Sequence, residues 1–192
     1  LNPALTGTAA GFDFNPVVDR LRLVSDTDDN LRLEPTGGTL AGTDTKLAYA
    51  ATDPRVGTNP NVTAAAYTNN FAGTATTTLY GIDTTLDTLV RQGDLNGSPI
   101  SPNTGSLFTV GALGVDFAAG AGFDILTDSS NTNTAYAISG TTLYSINLTT
   151  GGATSLGGVT LAAPTQPVTT PSPTGSTTTP APLNLIGLAG RV

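Results

Sequence analysis

The sequence predicts an all-β fold built from repeated antiparallel meanders, arranged like propeller blades or, alternatively, as a β-sandwich. Three observations predict it: apolar residues alternate with a period of two, three similar units recur along the chain, and no convincing amphipathic helix is present. An extended tail rich in Pro and Thr, and then a C-terminal strand, follow the repeats.

The first unit contains two strands with clean alternation, RLRLVS at 20–25 and NLRLEP at 30–35, preceded by GFDF at 11–14 and followed by GGTLAG at 37–42. Asp, Asn and Gly between these segments are typical of turns. The alternation places four leucines on inner faces of the sheet: Leu21, Leu23, Leu31 and Leu33. We therefore expect a meander of up to four strands.

The second and third units repeat this order. The second contains AAAYT at 64–68, TLYGID at 78–83 and DTLVRQG at 87–93, and the third contains GFDI, NTAYAIS, TLYSIN and GATSLGG between residues 122 and 158. VTAAAY at 62–67 is short and uncapped, so we expect a strand packed close to a neighbour rather than a helix. Three blades do not close a ring, which leaves sheet edges to be covered by something else.

The composition excludes several classes of partner. The net charge is −7, charged residues are 11 % of the chain, and Lys and Arg together number seven, so no basic patch for nucleic acid or anionic membranes is expected. No apolar run reaches about 18 residues, so membrane insertion is not expected either. We also interpret the start at Leu1, without Met or a signal peptide, as that of a processed or partial product.

Catalytic groups are scarce. The chain has no His and no Cys, which removes the usual bases, thiol nucleophiles and zinc or copper ligands, and no nucleotide-binding motif is present. Carboxylate chemistry of the glycosidase type is left, but Trp platforms for sugar are missing as well. We expect no enzymatic activity and no cofactor.

The stretch SDTDDN has the spacing of acidic and amide residues that begins a calcium loop. Asp26, Asp28 and Asn30 fall at positions 1, 3 and 5 of such a loop, but Leu31 replaces the required Gly and Gly37 replaces the required Glu. We therefore favour a hairpin loop, and expect no metal site.

Asp13, Asp116 and Asp124 recur inside GFDF, GVDF and GFDI. An Asp in a largely apolar strand needs backbone N–H partners, so a duplicated structural device is the favoured interpretation. A shared cation site is the alternative.

The repeat region resembles a family of secreted bacterial proteins described as domain of unknown function 4394. The resemblance lies in ALTGTAAGFDFNPVVDRLRLVSDTDDNLRLEPTGG, AAAYTNNFAGTATTTLYGID, GALGVDFAAGAGFDI and TLYSINLTTGGATSLG, which cover most of residues 4–158. It implies an extracytoplasmic, β-rich, propeller-like domain without an assigned reaction. Members of the family usually carry a further blade-like segment before ALTG, and the Pro/Thr tail is not associated with the family core.

The sequence divides into a β-repeat domain at 1–163, a Pro/Thr-rich linker at 164–182 and a C-terminal strand at 183–192. The linker favours extended polyproline II, which over 19 residues spans roughly 60 Å. Both faces of LNLIGLAGRV are largely apolar, as in a strand buried on both sides. The residues expected to mediate polymerisation are Leu183, Leu185, Ile186 and Leu188.

Glycosylation is expected at two kinds of site. Exposed hydroxyl groups in the linker are candidates for O-glycans: Thr169, Thr170, Ser172, Thr174, Thr177, Thr178 and Thr179. Three N-x-S/T sequons are weaker candidates, because a Thr- and Asn-rich chain produces them by chance: Asn61, Asn96 and Asn147.

These features suggest a structural subunit of an extracellular or cell-surface filament, a homopolymer in which the terminal strand of one copy completes a sheet of the next. One alternative is a secreted binding module for a glycan or surface ligand, with the tail as a linker. Another is that the terminal strand closes its own domain or leads to an anchor.

Overall fold

The computed structural model describes residues 5–160, which form three sheets and no helix longer than a single 3-10 turn, so the all-β prediction is confirmed. Sheet 1 consists of four strands in sequence order: β1 (Ala10–Asn15), β2 (Arg20–Ser25), β3 (Asn30–Leu33) and β4 (Leu40–Thr43). Sheet 3 repeats this arrangement: β10 (Gly122–Thr127), β11 (Asn133–Ser139), β12 (Thr142–Ile146) and β13 (Ala153–Gly158). Both are antiparallel meanders, as the repeats predict.

Sheet 2 has five strands in the order β5-β9-β8-β7-β6. Their bounds are β5 (Ala48–Tyr49), β6 (Val62–Tyr67), β7 (Leu79–Asp83), β8 (Thr88–Gln92) and β9 (Ser106–Ala112). The sequence predicted β6, β7 and β8 but not the other two. β9 extends the antiparallel meander, whereas β5 is a two-residue strand that pairs with β9 in parallel at the edge.

The sheets stack face to face with sheet 2 in the middle. One face of sheet 2 packs on sheet 3 through a cluster that includes Ile82, Leu89, Phe123 and Ile125. Its other face carries Tyr67, Leu79 and further apolar side chains that pack with Val24 of sheet 1. Both faces of the middle sheet are therefore buried, as between neighbouring propeller blades. The described residues do not form a closed barrel.

The first strand of each sheet lies near the first strand of the next, and β6 contacts both β1 and β10. All six residues of β6 are buried, and its three alanines allow close approach. A Cβ added at Gly11 of β1 would lie 2.5 Å from Cα of Ala64, so glycine is required where the two backbones meet. The prediction that VTAAAY forms a closely packed strand is confirmed.

Three of the four leucines predicted on inner faces of sheet 1 are buried, as expected: Leu23, Leu31 and Leu33. Leu21, Leu23, Leu31 and Leu33 share one face, as expected, but that face points away from sheet 2 and packs with Leu5 and Leu40. The opposite face, which is turned toward sheet 2, carries arginines. An antiparallel sheet commonly has one face in the core and its polar face in water. In a stack of sheets, the polar face of sheet 1 is instead the one that is covered.

None of the helices in residues 5–160 has the length and hydrophobicity needed to cross a bilayer. The linker predicted at 164–182 and the strand predicted at 183–192 lie outside the described residues, and both stay predictions.

Candidate functional site

The face of sheet 1 that points away from sheet 2 is apolar across several strands, and we call it the sheet-1 outer face. It consists of Phe12, Phe14, Leu21, Leu23, Leu31 and Leu33. In the register, Phe12 lies opposite Leu23 and Phe14 opposite Leu21. Leu23, Leu31 and Leu33 are buried, whereas Phe12 is 64 % and Phe14 49 % exposed. The surface is therefore open at its β1 side.

The strand that carries these two phenylalanines is also an edge strand. Among the described residues β1 has one hydrogen-bonded neighbour strand, β2, and no strand pairs with its other edge, where the N–H of Phe14 donates to Asp13. Each phenylalanine would gain roughly 1–2 kcal/mol on burial, because full burial of such a side chain is worth about 1.5–3 kcal/mol. An exposed edge beside exposed aromatic rings is a surface on which a further strand can pair.

The face of sheet 1 that points toward sheet 2 holds a buried arginine. Arg22 is 2 % exposed and donates from Nε to the Tyr67 hydroxyl at 3.3 Å. Its Nη1 donates to Asn30 Oδ1 and to Asp44 Oδ2, both at 2.6 Å, and Nη2 donates to Asn103 Oδ1. Because every donating nitrogen has an acceptor, the desolvated charge is held by hydrogen bonds and an ion pair.

Arg32 lies beside Arg22 in the cross-strand register and shares its carboxylate. Its Nε and Nη2 donate to Asp44 in a bidentate arrangement, each at 2.8 Å. These hydrogen bonds raise the pKa of Arg32, whose side chain is 33 % exposed. One buried carboxylate therefore neutralises one of two neighbouring guanidinium groups.

A cavity of about 380 Å³ lies between this face of sheet 1 and loops of sheet 2. Arg20, Arg22 and Arg32 line one side, and loop residues at 75–77, 96–97 and 101–103 line the other. No carboxylate belongs to the lining formed by the described residues, although Asp44 lies behind it and Glu34 pairs with Arg20 at 3.3 Å. The cavity is therefore lined by cationic and polar groups in a chain with net charge −7.

Residues 1–169 match the model of the family described as domain of unknown function (DUF4394). The chain belongs to the DUF4394 family. No curated protein and no solved structure gives a match.

In this DUF4394 chain, the recurring aspartates have unequal positions. Asp13 accepts hydrogen bonds from the N–H groups of Phe14 and Tyr67, and Asp124 accepts one from Ile125, which confirms the structural interpretation for these two residues. Burial raises the pKa of Asp13 from 3.8 to about 6, and the charge of Asp124 adds to the increase. Asp116 is different, because its side chain is exposed and it lies in the loop between β9 and β10, not in a strand.

In this DUF4394 chain the stretch SDTDDN forms a hairpin loop between the end of β2 and the start of β3. Asp26 accepts from the backbone and hydroxyl of Thr8, whereas the Asn30 oxygen accepts from Arg22 and Gln92 in the interior. Asp28 Oδ1 is buried and has no hydrogen-bond partner in the described part of the chain, and burial raises the pKa of Asp28. No group of three or more His, Cys, Asp or Glu residues suited to a metal ion occurs within 5–160.

Two of the sequons of this DUF4394 chain are exposed, at Asn96 and Asn147, but Asn147 Oδ1 is engaged by the N–H groups of Thr149 and Thr150. The Asn61 amide donates to Thr85 at 2.8 Å and its oxygen is buried. The linker hydroxyl groups and the four residues of the terminal strand lie outside the described part of the chain.

Sequence reasoning did not single out Phe12, Phe14 or the arginine cluster.

Proposed function

We propose that this protein is a structural subunit of an extracellular or cell-surface filament that polymerises by strand donation. In this proposal, residues 183–192 of one copy pair with the open edge of β1 in the next copy and cover the sheet-1 outer face. The observation that carries the proposal is the exposure of Phe12 and Phe14 on an edge strand.

The chemistry of the two partners is complementary. β1 has one charged side chain, Asp13, which is turned toward β6 and away from the exposed rings. The donated segment has alternating apolar side chains, with Leu183 and Leu185 on one face and Ile186 and Leu188 on the other. Strand addition satisfies the backbone groups of both partners, while one face of the donor packs on Phe12 and Phe14.

The order of the sheets supports assembly in an open line. The acceptor surface belongs to sheet 1 at one end of the stack, and the chain continues into the linker after β13 of sheet 3, at the other end. A contact between two different surfaces does not close on itself in a pair, so it extends into a polymer. A linker reaching roughly 60 Å can carry the donor strand to a neighbouring subunit.

The test is to remove or alter the donor. A chain that ends at residue 182 should remain monomeric by light scattering and form no fibres in negative-stain micrographs, whereas the full chain should form fibres. Replacing Leu185 and Ile186 with Asp should have the same effect. The matched control replaces Thr178 and Thr179 with Asp, which adds the same charge in the linker and should leave fibres intact. Fibres of full length from the truncated chain would rule out donation by this strand.

A secreted binding module for a glycan or surface ligand is the second candidate function. The observation in its favour is the cavity lined by Arg20, Arg22 and Arg32. This function predicts that the full chain is a monomer and that loss of 183–192 does not affect ligand binding, so the state of the full chain separates the two candidates. Closure of the domain by its own terminal strand likewise predicts that the full chain is a monomer.

A further inference from the structure

The cavity between sheets 1 and 2 concentrates cationic side chains. Among residues 5–160, three of the six Lys and Arg residues line it, and no acidic residue does. Counting the two carboxylates that pair with these arginines, Asp44 and Glu34, the cluster carries three positive and two negative charges, a net charge of +1. In a chain of net charge −7, an anionic ligand is the one that this cavity would attract.

Arg32 has the geometry of a ligand-binding arginine. Asp44 accepts hydrogen bonds from Nε and Nη2, and Nη1 forms no hydrogen bond with the described residues. A Cβ on Gly42 would lie 2.6 Å from Nη2, so the guanidinium lies close against the backbone of β4 and is restricted there. A planar guanidinium that is held along one edge can offer its remaining donors to a carboxylate.

The floor of the cavity is pre-organised. Arg22 is fixed by acceptors on Asn30, Asp44 and Asn103, which come from sheet 1, the β4–β5 connection and a sheet 2 loop. Since these groups are already ordered, a ligand would bind without the entropic cost of ordering them.

The other lining groups match the parts of a sugar. Asn96 is exposed and its side chain forms no hydrogen bond with the described residues, so it can bind hydroxyl groups. Val17 is 41 % and Val18 55 % exposed at the rim, where they offer an apolar surface to a ring face. A volume of about 380 Å³ is at the low end of the range for small-molecule sites, about 300–1,000 Å³, and suits a ligand of one or two sugar rings.

We propose that this cavity binds a carboxylate-bearing sugar, a uronic acid residue, with the carboxylate on Arg32 and the hydroxyl groups on the amides of the sheet 2 loops. The inference deepens the second candidate function, the binding module. It does not depend on polymerisation, since the cavity and the sheet-1 outer face lie on opposite faces of sheet 1.

The experiment titrates the full chain with digalacturonate by calorimetry, with neutral digalactoside and acetate as comparison ligands. We expect digalacturonate to bind at least about tenfold more tightly than either, because one charge-assisted bidentate contact is worth about that factor. Arg32→Gln should weaken binding about tenfold or more. Lys46→Gln makes the same charge change at a residue that does not line the cavity and should leave affinity unchanged.

A second variant guards against loss of folding in Arg32→Gln. Val18→Asp places an acidic group at the exposed rim without touching the buried network, and should also weaken digalacturonate binding. The proposal is overturned if the wild-type chain does not bind digalacturonate, if the neutral sugar or acetate binds equally well, or if Val18→Asp and a folded Arg32→Gln bind like wild type. Micrographs of the same samples report on filaments separately, so failure of one proposal is distinguishable from failure of the other.

Discussion

The Asp13 carboxylate accepts a hydrogen bond from the backbone N–H of Tyr67, with 2.6 Å between Oδ2 and N, and so joins β1 of sheet 1 to β6 of sheet 2. Its other oxygen accepts from the N–H of Phe14 at 2.7 Å. The same local bond recurs between Asp124 and Ile125 in sheet 3. A single side chain thus satisfies one backbone N–H group in each of two strands and links the first strands of two stacked sheets.

Asp13 should make stability depend on pH. Its pKa is raised from 3.8 to about 6, so the folded state holds this proton more tightly than the unfolded state. Stability is then lost as the pH rises through this window, by at most about 3 kcal/mol at 1.36 kcal/mol per pKa unit. Relative to Asp13→Asn, the wild-type free energy of unfolding should fall between pH 4 and 6.5 in urea titrations. Exposed Asp19→Asn is the control, and equal slopes for wild type and Asp13→Asn would contradict the prediction.

Gly11→Ala should destabilise the protein by roughly 2–4 kcal/mol, because the added Cβ would lie 2.5 Å from Cα and 2.6 Å from C of Ala64 in β6. Backbone atoms cannot swing away as a side chain can. Gly158→Ala is the matched control, since its Cβ would meet only the Thr141 oxygen at 3.9 Å. Chemical unfolding of both variants measures the difference, and similar midpoints would show that the two strands can separate at little cost.

Asp44→Asn should cost about 3–5 kcal/mol, because it leaves the buried Arg22 without its counter-charge. Glu34→Gln removes the partner of Arg20 at the surface, where both side chains are more than a third exposed, and should cost less than about 1 kcal/mol. Denaturant midpoints of the two variants provide the measurement. A small effect of Asp44→Asn would mean that hydrogen bonds alone hold the arginine cluster.

Mixing two variants, one without the acceptor surface and one without the donor strand, tests the two sides of the proposed filament contact independently. A chain with Phe12→Asp and Phe14→Asp retains the donor but should lose the acceptor, and a chain ending at 182 retains only the acceptor. Each alone should be monomeric, and the mixture should give one-to-one dimers by light scattering, since neither partner can extend further.

Val56→Asp, at a residue that is 56 % exposed on a loop outside sheet 1, is the control for added surface charge and should polymerise normally. Dimers from the double Phe variant alone would argue against the sheet-1 outer face as the acceptor.

The strands of the three units could be predicted because their signals are local. Alternation of Leu21 and Leu23, with turn residues on either side, is sufficient to give a strand and its two faces. Which face meets another sheet is a property of the stack and not of the strand. The alternation shows that Arg20, Arg22 and Arg32 lie on the face opposite the leucines. That they form a cluster lining a cavity depends on sheet 2 and its loops, which the strand pattern does not reveal.

Other features depend on contacts between distant parts of the chain. β5 has two residues and exists only because β9 lies beside it in parallel, so no pattern within Ala48–Tyr49 could reveal it. Asp116 occurs in a motif similar to that of Asp13, yet it lies in a loop where no strand forms. The hairpin loop interpretation of SDTDDN needed only local turn chemistry, and it agrees with the structure.

The placement of Asp13 and Gly11 on the strand proposed to receive the donor has a mechanical consequence. In a fibre under tension, force applied to β1 reaches the rest of the subunit by two routes, the ladder with β2 and the lateral contacts with β6. The ladder resists because several hydrogen bonds would have to break at once, whereas the contacts between β1 and β6 include one hydrogen bond, from Tyr67 to Asp13, and close packing of small residues. The first event under load should therefore be loss of the β1–β6 contacts with the β1–β2 ladder intact, while the hydrogen bonds of Arg22 to Tyr67 and Asn103 limit how far sheets 1 and 2 move apart. This would give the fibre a small extensibility before any subunit unfolds.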